Sequence, residues 1–119
     1  MLAQVEFENG VACERCLVAD RMLPRMKGLL GRRALSPDEG ILLRPTNSIH
    51  TWFMRFPIDA IFLDHELAVI DVLANVRPWR LAARRRARAV LELAAGEAER
   101  RGLAAGQRIR LSPNGRGAS

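Results

Sequence analysis

The stretch SIHTWFMRFPIDAIFLDHELAVIDV, residues 48–72, carries the strongest signal of β-structure in the sequence. It contains two apolar runs, 58–63 and 67–73, separated by the polar segment DHE at 64–66, and this pattern predicts a β-hairpin. Because both runs are apolar on both faces, we expect both strands to be buried in the centre of a sheet rather than at its edge.

Further extended segments lie on the N-terminal side of this hairpin. Residues 3–8 alternate between apolar and polar types, Asn9-Gly10 is a strong signal for a tight turn, and residues 11–19 form the expected return strand. A turn at 36–40 precedes a strand that begins with ILL, and we expect residues 48–54 to be extended.

The segment WRLAARRRARAVLELAA, residues 79–95, carries conflicting signals. Its Ala, Arg and Leu residues are strong helix formers. From Ala87 onward, however, the apolar residues follow the two-residue period of a strand. We therefore predict a basic loop at 80–86 and a strand at 88–94.

Two short helices and a last strand complete the predicted elements. An apolar stripe predicts a helix over residues 23–30, and Gly96 to Gly102 fits a helix of one or two turns. We expect a last strand at 107–111 and a frayed tail at 112–119. Seven or eight short strands with two short helices indicate a mainly β fold, either a sandwich or a closed barrel.

The composition is that of one globular domain covering residues 1–119, with a core at about 3–111. No apolar run is long enough for a membrane-spanning helix and no signal peptide is evident, so we expect a cytoplasmic protein without a membrane span. The net charge is +6, and every basic residue except Lys27 is arginine. Arginine binds phosphate and carboxylate groups with two parallel hydrogen bonds, which favours an anionic partner; a GC-rich bacterial genome would produce the same bias.

The two cysteines, Cys13 and Cys16, lie within a predicted strand. Residues three apart on a regular strand point to opposite faces, so we expect one thiol to face inward and the other outward. A single C-x-x-C also lacks the second pair of ligands of a structural zinc site. The thiols are interpreted as incidental, with a redox or metal role as the alternative.

Four motifs occur in order along the chain: RMKGLL at 25–30, EGILL at 39–43, SIHTWFMRFPIDAIFLD at 48–64 and VLELAAG at 90–96. Together they resemble the bacterial DUF192 family, a group of small domains of uncharacterised function. The resemblance covers about residues 11–111. It implies a mainly β, jelly-roll-like sandwich or closed barrel with short helices, and it supports a strand at 88–94. It does not imply a reaction or a cofactor.

His50 and Asp59 are the residues in this stretch most typical of chemistry. On a regular strand Ser48, His50, Trp52 and Met54 share one face. A bend at Pro57 could bring Asp59 back toward this face or toward the opposite one. A Ser48–His50–Asp59 set has the members of a hydrolase triad, but no glycine-rich oxyanion turn accompanies it. The structural alternative is that His50 and Asp59 bond to each other, to Arg55 or to the backbone.

A metal site would need a third ligand besides the two histidines, from Asp59, Asp64 or Glu92, and we predict none. A binding cleft is the favoured alternative, because a few directed polar groups in an apolar wall are typical of ligand sites. Its walls would be the segment 48–59 and the helix at 23–30. The candidate ligand-binding residues are His50, Trp52, Arg55, Asp59, Arg25, Lys27 and Glu92. For Glu92 an internal ion pair with an arginine is the structural alternative.

The run RLAARRRAR at 80–88 is the second candidate surface. It contains Arg80, Arg84, Arg85, Arg86 and Arg88, with Trp79 as its aromatic neighbour in the sequence. Single-strand binding usually adds several aromatic side chains, whereas duplex binding needs mainly charge. A solvated basic loop is the structural alternative.

The sequence therefore favours a non-enzymatic binding or accessory module for a small polar or anionic ligand or a peptide, without a cofactor. A hydrolase or metal-assisted enzyme using His50 and Asp59 is the first alternative. A nucleic-acid or anionic-polymer binder acting through Arg80–Arg88 is the second.

Overall fold

The computed structural model describes residues 2–19, 34–52 and 54–113. Within them lie nine strands and one short helix. The strands are β1 (Leu2–Phe7), β2 (Gly10–Ala19), β3 (Glu39–Leu43), β4 (Ser48–His50), β5 (Ile58–Leu63), β6 (Val69–Val76), β7 (Leu81–Ala83), β8 (Ala89–Ala94) and β9 (Arg110–Pro113). The helix α1 spans Glu97–Arg101 between β8 and β9.

Seven of these strands form one mixed sheet in the order β6-β5-β8-β3-β2-β1-β9, and β4 pairs with β7 in a separate two-stranded ribbon. Only β2 and β3 run parallel among the pairs in the described sheet. The two edge strands approach each other at one isolated bridge, between Ala68 and Arg108. Since no continuous ladder joins them, the described sheet does not close into a barrel.

Both faces of the large sheet are buried. One face carries the cluster that includes Val5, Leu91 and Leu93, and it packs beneath helix α1 through Ala98. The opposite face carries Ile41, Phe62 and Val90. The ribbon covers that second face, with the side chain of Ile49 only 1% exposed. The sheet therefore separates the helix from the ribbon.

Several expectations about the strands are confirmed. β1 and β2 form the hairpin with its turn before Gly10, and β5 pairs with β6 across the DHE turn. β8 forms a strand where propensity alone favoured a helix. Its formation follows from its position between β5 and β3, where all residues from Ala89 to Leu93 are buried.

Other expectations were wrong. β6 is an edge strand and only partly buried, because β5 has β8 on its other side. The expected loop at 80–86 contains strand β7, which pairs with β4. The last strand runs to Pro113, two residues into the expected tail. Of the two predicted architectures, sandwich or closed barrel, the closed barrel is not formed by the described sheet.

The helix predicted at 23–30 lies outside the described residues, so it stays a prediction.

Cys13 and Cys16 are both fully buried on the same face, contrary to the expectation of opposite faces. Cys13 pairs with Val5 and Cys16 with Ala3, so three steps on β2 match two steps on β1. This β-bulge holds one extra residue, and Glu14 and Arg15 at the bulge are exposed. A hydrogen bond with Cys13 and burial both raise the pKa of the Cys16 thiol.

Candidate functional site

Asp59 is a structural carboxylate in the described residues. Its side chain is 0% exposed and lies on the face of the sheet beneath helix α1. Oδ2 accepts hydrogen bonds from the amides of Gly96 and Ala98, both at 2.9 Å, at the start of that helix. Oδ1 accepts one from the Asn75 amide at 2.8 Å, where β6 bulges. All these partners are backbone groups, as the structural interpretation of Asp59 expected.

His50 lies on the other side of the sheet, in the ribbon, and does not pair with Asp59. Its ring stacks on that of Trp52, with centroids 4.8 Å apart, and Nδ1 is buried without a hydrogen-bond partner. The predicted row from Ser48 to Met54 ends early, because the chain turns at Thr51 and Trp52. Trp52 is therefore exposed while Met54 is buried. The imidazole and the carboxylate do not meet at one bend.

The structure describes only some of the remaining residues of the predicted cleft. Arg55 is exposed. Glu92 is 2% exposed and lies opposite Ile41 and Ala60 in the sheet. Arg25 and Lys27 lie outside the described residues. The cleft beside 23–30, and the ion pair of Glu92, stay predictions.

Twelve of the thirteen arginines in the described residues, all except Arg44, divide into two groups by their ion-pair partners. Six form ion pairs with carboxylates: Arg15, Arg84, Arg100, Arg101, Arg108 and Arg110. Within the described residues, a second group makes no ion pair: Arg55, Arg77, Arg80, Arg85, Arg86 and Arg88. This second group falls within one third of the chain, and no acidic residue occurs between Asp71 and Glu92. The described arginines without an ion pair are therefore concentrated in one part of the sequence.

Arg85, Arg86 and Arg88 surround an open pocket of about 520 Å³, which Asp64 and His65 complete. The turn between β5 and β6 meets the turn between β7 and β8 here. The amide of Arg88 bonds to the carbonyl of Leu63 at 2.7 Å, which fixes one turn against the other. With three guanidinium groups and one carboxylate, the lining carries a net charge of +2 when His65 is neutral.

The carboxylate in this pocket, Asp64, accepts hydrogen bonds from backbone amides of its own turn. Asp64 Oδ1 accepts the amides of Glu66 at 2.8 Å and Ala68 at 3.0 Å. The bond from Ala68 is the largest cause that lowers the pKa of Asp64, and that from Glu66 also contributes. Asp64 thus stays charged while it holds the turn that presents His65. The arginine side chains remain available to an anion.

Two members of the predicted arginine patch differ from the rest. Arg84 is held at 2.6 Å by Asp71, and its guanidinium carbon lies 5.1 Å from the centre of the Phe62 ring. It therefore anchors the β7–β8 turn to the sheet. Arg80 is exposed and lies beyond the other end of β7, beside Trp79.

Sequence reasoning missed the part that Asp64 and His65 play in this pocket, since it considered them only as turn residues and as candidate metal ligands. It also missed the proximity of Trp52 to Trp79. The amide of Trp79 donates to the carbonyl of Thr51 at 3.0 Å, across a separation in sequence that local patterns do not reveal.

Within the described ranges no three His, Cys, Asp or Glu side chains are grouped closely enough to hold a metal ion. No helix in that part of the chain has the length and apolar character needed to cross a membrane.

The fold and this surface define a mainly β domain with two buried sheet faces and a basic outer region. The chain belongs to the DUF192 family, described as "Uncharacterized ACR, COG1430", whose model matches residues 5–111. The resemblance found in the four sequence motifs is thereby confirmed.

Archaeal proteins are similar to this chain. UPF0127 protein PH1112 of Pyrococcus horikoshii is 37% identical over 79 residues, covering 63% of this chain and 68% of that protein. A UPF0127 protein of Thermococcus sibiricus is 38% identical over 74 residues, covering 56% of this chain and 45% of that protein. The match thus spans about half of the Thermococcus relative. Since these relatives are archaeal, they do not support the expected bacterial origin.

Two solved structures share the fold. A protein of unknown function from Novosphingobium aromaticivorans has a TM-score of 0.78 and 25% identity, over 92% of this chain and 84% of that one. A protein from Sinorhizobium meliloti, described as a "putative transcription regulator", has a TM-score of 0.81 and 23% identity. That likeness covers 93% of this chain and 94% of that one, and it shows the fold alone.

Proposed function

We propose that this domain is a non-enzymatic binding module for a phosphate-bearing anion, which it holds at the pocket of Arg85, Arg86, Arg88 and His65. The observation that carries the proposal is the absence of ion-pair partners for these three arginines among the described residues. Six other arginines of the described chain are neutralised by carboxylates.

The chemistry of the lining favours phosphate. Guanidinium groups donate parallel hydrogen bonds to phosphate oxygens and stay charged at any physiological pH. Arg88 is held in place because its Nη1 donates to the carbonyls of Ala87 at 2.9 Å and Arg85 at 3.4 Å. A partly ordered cation loses less entropy when it binds a ligand than a free one does.

The hydrolase hypothesis has no support in the described geometry, because it required a His50–Asp59 pair. Asp59 bonds to three backbone amides and His50 stacks on Trp52 instead. The proposal therefore concerns binding. It moves the expected anionic ligand from the cleft beside 23–30 to the basic pocket.

The test is calorimetric titration of the whole chain with tripolyphosphate at about 50 and about 200 mM salt. We expect binding that weakens with salt, and a loss of at least about tenfold in affinity for Arg85→Gln/Arg86→Gln. The matched control is Arg15→Gln/Arg110→Gln, which removes the same charge from exposed, ion-paired arginines on β2 and β9. Equal weakening by both double variants, or no binding at the lower salt, would overturn the proposal.

A further inference from the structure

The ribbon beside the basic pocket exposes aromatic side chains. Of the four large apolar residues exposed in the described chain, Leu2 lies on β1, and the others are Trp52, Trp79 and Leu81. Trp79 is 57% exposed and Leu81 69%. Trp52 and Trp79 are the only two tryptophans of the chain. Leu81 pairs with His50 across the ribbon.

The backbone beneath these side chains is fixed. Thr51 is fully buried, and its hydroxyl donates to the carbonyl of Arg77 at 2.6 Å and accepts the amide of Arg80 at 2.9 Å. Trp79 has a φ of 65°, a left-handed conformation that is costly for a residue with a large side chain.

Positive charge surrounds the same ribbon. Arg55, Arg77 and Arg80 are exposed and have no carboxylate partner among the described residues. Strand β7 runs from Leu81 to Ala83, and the pocket residues Arg85 and Arg86 lie in the turn that follows it. We give the name ribbon surface to the following set of side chains: His50, Trp52, Arg77, Trp79, Arg80 and Leu81, together with the pocket lining.

We propose that the ribbon surface binds single-stranded nucleic acid, with bases stacked on Trp52 and Trp79 and the phosphates held by the arginines. This inference rests on the proposed function and names its ligand class. Indole rings stack on every base, and guanidinium groups follow the backbone, which is the combination that single-strand binders use. A duplex hides its base faces, so it would use the charges alone.

The experiment measures binding of the whole chain to a fluorescein-labelled oligothymidylate of about twelve nucleotides, and to polyphosphate of similar charge that has no bases. Because both tryptophans lie in the ribbon surface, quenching of intrinsic fluorescence reports contact with the bases directly. We expect Trp52→Leu/Trp79→Leu to weaken oligothymidylate binding by at least about tenfold while polyphosphate binding stays within about twofold. Arg85→Gln/Arg86→Gln should weaken both ligands.

The variant Trp52→Phe/Trp79→Phe is the control for stacking, since phenylalanine keeps an aromatic face. This variant should bind oligothymidylate more tightly than Trp52→Leu/Trp79→Leu does. Leu2→Ala removes an exposed apolar residue outside the surface and should change neither ligand. If the leucine variant binds both ligands like the parent, the inference fails and the proposed function stands. If neither ligand binds the parent, both fail. Tryptophan-dependent binding to vesicles of phosphatidylserine without oligomer binding would also overturn the inference, in favour of a lipid surface.

Discussion

Oδ2 of Asp59 accepts the amide of Ala98 at 2.9 Å, across 39 residues of sequence. This bond joins the start of strand β5 to the first turn of helix α1. The other oxygen of the same carboxylate bonds to Asn75 at the bulge of β6. The buried carboxylate of Asp59 therefore links strand β5 both to the start of helix α1 and to the bulge of the edge strand β6.

Asp59→Asn should destabilise the domain by about 2 to 4 kcal/mol, because an amide removes the charge and turns a donor toward buried amide donors. Urea unfolding followed by circular dichroism measures the loss. Asp71→Asn is the control, since its ion pair with Arg84 is partly exposed and worth at most about 1 kcal/mol. A loss for Asp59→Asn no larger than the control's would contradict the role given to this carboxylate.

His50 and Asp59 should behave independently, because they lie on opposite faces of the sheet. A double-mutant cycle with His50→Ala and Asp59→Asn should give a coupling energy below about 0.5 kcal/mol. The same unfolding measurements supply all four corners of the cycle. A coupling above about 1 kcal/mol would show that the two side chains interact after all.

Gly40→Ala should destabilise the domain by about 1 to 3 kcal/mol through overpacking. A β-carbon at Gly40 would lie 2.8 Å from Cys13 Sγ, 2.8 Å from Leu93 Cδ2 and 2.9 Å from the Glu92 carbonyl oxygen. Thermal unfolding measures the effect. In a Cys13→Ala background the loss should be smaller but not abolished, because two of the three close atoms remain. An unchanged melting temperature would mean that β2, β3 and β8 pack less tightly.

The ion pairs of Glu97 should add stability that acid removes. The hydrogen bond from Arg100, and then that from Arg101, hold the pKa of Glu97 below its usual range. A carboxylate with a lowered folded pKa stabilises the fold above its unfolded pKa of about 4.3, and that contribution is lost as the pH falls through the folded value. The stability of Glu97→Gln should therefore fall less between about pH 5 and pH 2 than that of the parent. Parallel curves in chemical unfolding across this range would contradict the expectation.

The cysteines should be inert in the folded protein. Both are fully buried, and the pKa of Cys16 is raised by the hydrogen bond with Cys13 and by burial, so little thiolate forms at neutral pH. Alkylation by iodoacetamide should be at least about a hundredfold slower in buffer than in denaturant. Mass spectrometry counts the labelled thiols. Rapid labelling without denaturant would show that the bulge of β2 opens readily.

Local sequence signals predicted where strands occur along the chain better than which strands lie side by side in the sheet. Asn9-Gly10 and the DHE turn gave two hairpins correctly, because a tight turn fixes which strands pair. The apolar character of β6 predicted, wrongly, that this strand lies in the centre of the sheet. Apolar character alone does not reveal whether a strand has a second neighbour. The bulge at Glu14 and Arg15 also escaped prediction, because the pairing of Cys13 and Cys16 with β1 sets it.

Local patterns were enough to predict the mainly β class, the family, the excess of arginine and the strand at β8, because alternation, turn residues and motifs can be recognised without knowledge of the fold. The tertiary structure was needed to show that Asp59 accepts hydrogen bonds from amides at the start of helix α1, whereas the ring of His50 packs against that of Trp52. It also decided which arginines find carboxylates and which surround an open pocket. These are relations between residues far apart in sequence, and their geometry depends on how strands pair and on which face of the sheet each side chain lies.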